Sequence, residues 1–200
     1  MADAHEQLRM DDVMAPLIDE YGELTVEPAS DLFERLVVAI VRQQLSMAAA
    51  DTIRARLFDR YEVSPGHLKT VPAEELAETG LSNRKAETIR RAGETFHERG
   101  YSREYFAAHS TDAVIDELTE ITGIGPWTAK MVCLFGLGHE DVFPVEDLGI
   151  RKGMQTVFEE ELTRAKMIDR AQPWRPYRSI ASLYLWRVSD GDKPVIGEQV

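Results

Sequence analysis

The 200-residue sequence predicts an all-α fold on three observations. Apolar residues recur at i, i+3, i+4 and i+7 in several separate segments, the spacing that lines one face of a helix. No alternation of apolar and polar residues runs long enough for a convincing strand. Finally, Gly123-Ile124-Gly125-Pro126 joins two of the helical segments. Glycine supplies positive φ there at little cost, and proline suits the first turn of the next helix.

Residues 6 to 22 carry Leu8, Val13, Met14, Leu17 and Ile18 among acids and predict a short amphipathic helix, interrupted or begun near Pro16. Ser30 or Asp31 can cap the helix that follows, in which Leu32, Phe33, Leu36, Val37, Ile40 and Val41 form a buried face running to about Arg42. Gln43-Gln44-Leu45-Ser46 breaks the pattern, and Ser46 caps a helix from 47 to about 60. Residues 61 to 71 read as loop, and Pro72 opens a short helix ending at Gly80. Another helix begins at Ser82 to Lys85, with Ala86, Ile89, Ala92 and Phe96 on one face. Its Arg84, Lys85, Arg90 and Arg91 are the dense basic cluster of an acidic chain. Ser110 caps the first arm of the hairpin, which holds Val114, Ile115, Leu118 and Ile121. The second arm, from about 126, is apolar nearly all round and predicts a central buried helix ended by Gly136 and Gly138. Beyond Asp147 come an amphipathic helix with Met154, Val157 and Phe158, a shorter helical stretch, and a last helix holding Ile180 and Leu183 to Trp186.

Thirty-five acidic residues against 23 basic ones give a formal net charge of −12, which on its own argues against a nucleic-acid partner. Two considerations offset it. The free N–H groups and positive dipole end of the second arm can hold a phosphate without a basic side chain. An acidic composition also suits a high-salt cytoplasm, where repulsion is screened. A Gly-x-Gly before a helix serves equally as a plain corner between helices, so the hairpin alone leaves both readings open. The single cysteine, Cys133, excludes an internal disulfide and a four-cysteine metal site and reads as a small core residue. With no apolar run of membrane-spanning length and no basic leader, a cytoplasmic protein without a membrane partner is expected.

The stretch from Thr119 to Met131, with Asp147 following 22 residues after Gly125 in Phe143-Pro144-Val145-Glu146-Asp147, resembles the helix-hairpin-helix hallmark of the DNA glycosylase superfamily that includes endonuclease III. The aspartate segment is similar to that of the DNA-3-methyladenine glycosylase II branch. Val41 to Ser46 resembles the corner of those enzymes that enters the minor groove, Leu81 to Ala86 a loop bordering DNA, and Trp174 to Trp186 the closing helix. The resemblance covers about residues 31 to 188. It implies two helical lobes with a cleft between them, forming one glycosylase unit over 1–200 with hairpin and aspartate at 119–147. The chain is expected to be the catalytic core without the N-terminal mixed α/β domain of the best-known bacterial member. DNA contacts are implied at Thr122, Gly123, Ile124, Gly125 and Thr128 of the hairpin, at Gln43, Gln44, Leu45 and Ser46 of the corner, and at Arg84 and Lys85. Gln44 or Leu45 is long enough to fill the gap left by an everted base, and Gln44 is favoured.

The resemblance makes Asp147 the catalytic carboxylate, beside the sugar as the base departs, although an aspartate there can equally cap the helix that follows. Bifunctional relatives carry an attacking lysine two residues after the second hairpin glycine, where this chain has Trp127, so a monofunctional enzyme without lyase activity is implied. Trp127, Met131, Tyr184 and Trp186 are the candidate lining for a cationic alkylated purine, and each also fits an ordinary core. The expected partner is double-stranded DNA containing alkylated bases, such as 3-methyladenine or 7-methylguanine, bound by a monomer. No cofactor and no iron–sulfur cluster are expected, while a monovalent Na or K ion at the hairpin carbonyls would fit the family. The rival readings are a same-fold glycosylase for uracil, hypoxanthine or an oxidised purine, and a non-catalytic DNA-binding module.

Overall fold

The computed structural model describes residues 4–190, and every regular element in them is helical. In chain order these are α1 (Ala4–Leu8), α2 (Met14–Tyr21), α3 (Leu32–Arg42), α4 (Met47–Arg60), α5 (Pro65–Leu68), α6 (Ala73–Ala77) and α7 (Asn83–Arg99). They continue with α8 (Arg103–Phe106), α9 (Thr111–Thr119), α10 (Pro126–Val132), α11 (Leu148–Phe158), α12 (Arg164–Arg170) and α13 (Arg178–Asp190). The described chain divides into two compact units. One is the continuous stretch Ala29–Leu137, and the other combines the segment through Pro28 with the segment from Gly138 onward.

In the continuous unit, side-chain caps decide where helices start. Asp31, Ser46, Ser64, Ser82, Ser102 and Ser110 each accept the backbone N–H three residues on, a contact worth about 1 kcal/mol apiece. Asp31, not Ser30, is the cap of α3. Two of these caps begin short helices in segments that the periodicity leaves without one. Ser64 with Pro65 at the first helical position starts α5, and Ser102 starts α8. Helix α3 is buried at every position but Glu34, so it is more thoroughly enclosed than the second hairpin arm expected at the centre. In that arm Trp127 and Lys130 stay half-buried, and α10 passes into a π-helical turn at Cys133–Leu137. Cys133 is a core residue, its thiol pushed up to about 12 by burial first and Asp112 second.

In the other unit, the N-terminal apolar stretch is two helices. The Asp11 carboxylate accepts the N–H groups of Val13 and Met14 at 3.0 and 3.1 Å, ending one and starting the next before Pro16 is reached. Helices α11 and α13 pack closely because α11 carries glycines at 149 and 153. A Cβ on Gly153 would lie 2.3 Å from the Leu185 carbonyl oxygen. Ser179 pins the preceding loop, donating to His139 O at 2.6 Å and accepting from Val142 N–H at 2.9 Å.

Candidate functional site

Residues 120–125 turn the chain from α9 into α10. Ile121 and Ile124 bury their side chains, and the Ile124 N–H closes the turn onto Ile121 O at 2.9 Å. The two glycines do different work. Gly123 has φ of +101°, and a Cβ there would sit 2.0 Å from Thr88 Oγ1, so both backbone and packing exclude a side chain. Gly125 has φ of −105°, and a Cβ there would meet nothing within 4 Å, so the expectation of positive φ holds only at Gly123. The fold does not require glycine at 125. What a side chain there would obstruct is the space before the α10 N-terminus, where first-turn N–H groups have no intrahelical acceptor. Thr122 is exposed.

The corner between α3 and α4 is braced against this hairpin. Gln43 donates from Nε2 to Gly123 O at 3.2 Å and to Thr128 Oγ1 at 2.9 Å. Thr128 is buried and so is a brace for the hairpin, not the exposed DNA contact the resemblance implied, while half-buried Gln43 fixes the hairpin through its amide. Gln44 projects outward from a left-handed backbone, φ +56°, and Leu45 and Ser46 are exposed beside it. A non-glycine residue held at positive φ on an exposed tip is uncommon and marks an over-determined turn.

Lys85 corrects another expectation. Its ammonium donates to Val41 O at 2.7 Å and Gln43 O at 2.6 Å, capping the last carbonyls of α3, and partial burial lowers its pKa. A phosphate would have to compete with both carbonyls for it. Arg90 and Arg91 pair with Glu87 on their own helix, which leaves exposed Arg84 as the cluster's outward cation at the corner. Lys85→Met should therefore lower stability by about 1–3 kcal/mol, as lost charge-assisted bonds do, read by urea unfolding. The slope of log affinity against log salt should stay at the wild-type value, whereas Arg84→Met should reduce it by about one.

In the other unit, Asp147 starts α11. Its Oδ1 accepts the Ile150 N–H at 3.1 Å and the Trp186 indole N–H at 2.8 Å, and the residue is 8% exposed. The capping and catalytic readings are thus not exclusive, because capping sets the carboxyl's orientation. Gly149 makes room for it: a Cβ there would lie 2.7 Å from Trp186 Cδ1 and 3.1 Å from Asp147 Oδ1. Trp186 is buried, so its part is to hold the carboxylate and not to offer a stacking face. Tyr184 is wholly buried, donating to Gly22 O at 2.7 Å and accepting from Leu24 N–H at 3.1 Å, and Met131 is core. Of the four candidate lining residues only Trp127 is not buried. The indole bond was invisible in sequence, since nothing in the spacing of Asp147 and Trp186 signals a contact across two helices.

A family model described as HhH-GPD superfamily base excision DNA repair protein matches residues 37–176, most of the chain. The chain belongs to this superfamily. Among HhH-GPD relatives it is 30% identical over 196 residues to DNA-3-methyladenine glycosylase 1 of Schizosaccharomyces pombe, covering 91% of this chain and 84% of that protein. It spans 67% of a Saccharomyces cerevisiae DNA-3-methyladenine glycosylase and 64% of a Bacillus subtilis relative. Of solved structures, the S. pombe 3-methyladenine DNA glycosylase in complex with abasic DNA superposes with a TM-score of 0.86 at 26% identity, over 94% of this chain and 96% of that one. A DNA-3-methyladenine glycosidase from Bacillus halodurans superposes with a TM-score of 0.82 at 32% identity, over 95% and 90%. The all-α expectation and the branch named from the motifs agree with these likenesses.

Proposed function

We propose that this HhH-GPD protein is a monofunctional DNA glycosylase that removes alkylated purines of the 3-methyladenine and 7-methylguanine type from duplex DNA. The observation that carries the reading is Asp147, a carboxylate held by a backbone N–H and an indole N–H on one oxygen in a chain similar throughout to 3-methyladenine glycosylases. In this reading the hairpin grips a backbone phosphate with peptide N–H groups, and the Gln44 corner enters the minor groove and supports the everted nucleotide. Asp147 stabilises the cationic sugar as the N-glycosidic bond breaks and orients the water that completes hydrolysis. An alkylated purine is already cationic and leaves readily, so no general acid is needed at the base. Trp127 offers it an aromatic face, which favours a positive charge.

No cofactor enters this scheme, and the protein acts as a monomer on double-stranded DNA. A monovalent cation fits the hairpin by donor chemistry. Gly123 O and Ile121 O each accept one N–H, which leaves each a second lone pair. Such an ion would steady the turn and attract the phosphate electrostatically.

The test is a panel of duplexes bearing 3-methyladenine, 7-methylguanine, uracil, hypoxanthine or 8-oxoguanine, with free base measured by chromatography. Release of the methylated purines with none of the others is the expected result. Release confined to one of the other lesions would overturn the substrate class, and binding with no release from any duplex would reduce the protein to a DNA-binding module. Borohydride added during turnover should trap no covalent adduct, because no lysine stands at position 127.

A further inference from the structure

The continuous unit buries a positive charge that the described residues do not answer. Arg35, in the middle of α3, is 1% exposed. Its stem runs past Gly136, where a Cβ would lie 3.6 Å from Arg35 Cγ, and its guanidinium carbon sits 4.7 Å from the centre of the Phe135 ring. Among the described residues neither Nε nor Nη1 of Arg35 has a hydrogen-bond acceptor. The ring attracts the charge but accepts none of its in-plane N–H bonds.

The neighbourhood adds to the problem. Arg42 lies seven residues on, two turns along the same face of α3, and Arg54 of α4 is near enough to both to act on them electrostatically. Burial, then Arg42 and Arg54, pushes Arg35 down to about 9, so it remains protonated at neutral pH. The nearby acids face other arginines: Asp51 stands 3.7 Å from Arg42 Nη2, and Glu34 interacts electrostatically with Arg54. Arg54 Nε also lacks an acceptor among the described residues. A buried guanidinium needs both a counter-charge and acceptors for its donors, because desolvation of an unanswered ion is strongly destabilising.

We propose that a small inorganic anion of the halide class binds at Arg35, accepting its N–H donors, with Arg42 and Arg54 supplying the surrounding positive potential. A halide ion is only modestly larger than a water molecule and brings the charge that water lacks. A backbone phosphate of DNA is excluded as the source, because a residue 1% exposed cannot be reached by a polymer. Binding stabilises α3, the helix whose last residues carry the Gln43–Ser46 corner. The anion is therefore a structural ligand of the unit that presents the corner and the hairpin. It also gives the protein a specific demand for halide, beyond the general screening expected of a chain with net charge −12.

The experiment compares thermal unfolding of the full chain in potassium chloride and in potassium gluconate at equal ionic strength. The midpoint should rise saturably with chloride, by about 5–10 °C once chloride exceeds its dissociation constant a hundredfold. In Arg35→Met the two salts should act alike. An equal chloride response in wild type and variant would overturn the proposal. Diffraction from wild-type crystals grown with bromide in place of chloride gives a second reading should the variant fail to fold. An anomalous peak in hydrogen-bonding reach of Arg35 upholds the site, and water alone at that position refutes it.

Discussion

Asp147→Asn should slow release of methylated purine from duplex DNA by about 10²–10³-fold, with folding and duplex affinity unchanged. Asparagine caps a helix as well as aspartate does, so the Ile150 N–H keeps its acceptor. The amide oxygen can also take the Trp186 indole N–H. Only the charge is removed. A carboxylate about 4 Å from a full positive charge is worth about 4 kcal/mol at an effective dielectric constant of 20, which converts to about 10³ in rate. Single-turnover release of free base measures the effect, and the unfolding midpoint measured in parallel separates it from damage to the fold. Asp147→Ala would be a poorer probe, since it discards a cap worth about 1 kcal/mol together with the charge. Equal rates for wild type and Asp147→Asn would remove Asp147 from the mechanism.

The second large effect divides the two hairpin glycines. Gly123→Ala should cost about 3 kcal/mol or more, because alanine is strained at φ +101° and its Cβ would collide with Thr88 Oγ1. Thr88 cannot swing aside freely, as its hydroxyl donates to Arg84 O at 2.8 Å. Gly125→Ala should leave stability unchanged or raise it by up to about 1 kcal/mol, since its backbone suits any residue and its Cβ meets nothing. Its duplex affinity should nevertheless fall about tenfold or more, the cost of one lost charge-assisted bond to phosphate. Urea unfolding and fluorescence anisotropy with an unmodified duplex measure the two quantities. Normal binding by Gly125→Ala would mean that no phosphate approaches that turn.

Elements with both periodicity and a cap were legible in the sequence. Helices α3 and α4 start and stop where Asp31, Arg42, Ser46 and Arg60 indicate, and the hairpin lies at the Gly-x-Gly. Helices of four residues, α5 and α8, are too short to show a period, although Ser64-Pro65 carries the chemistry of a helix start. Side-chain roles at the site were harder to read. Lys85 and Gln43 look like surface residues until α3 brings the carbonyls of Val41 and Gln43 beneath one and the hairpin beside the other. Composition marks a lysine as charged but cannot show that two peptide oxygens 42 and 44 residues away will claim it. Trp186 was expected as a wall for the base because aromatic type was visible and the direction of its N–H was not.

The division of the chain sets an order of events during synthesis. Residues 29–137 leave the ribosome as one uninterrupted piece and hold all the partners of their own unit. The other unit is sewn from both sides of that insert: the Tyr184 hydroxyl meets Gly22 and Leu24 across 162 and 160 residues of intervening chain. While the polypeptide is still growing, α2 is without α13, and the apolar side of Met14, Leu17 and Ile18 stays open to water or to a chaperone until α13 has been made. Loop closure over such a distance is slow relative to local helix pairing. The unit that holds the hairpin thus has its whole chain available before α13, which completes the unit that carries Asp147, has been made.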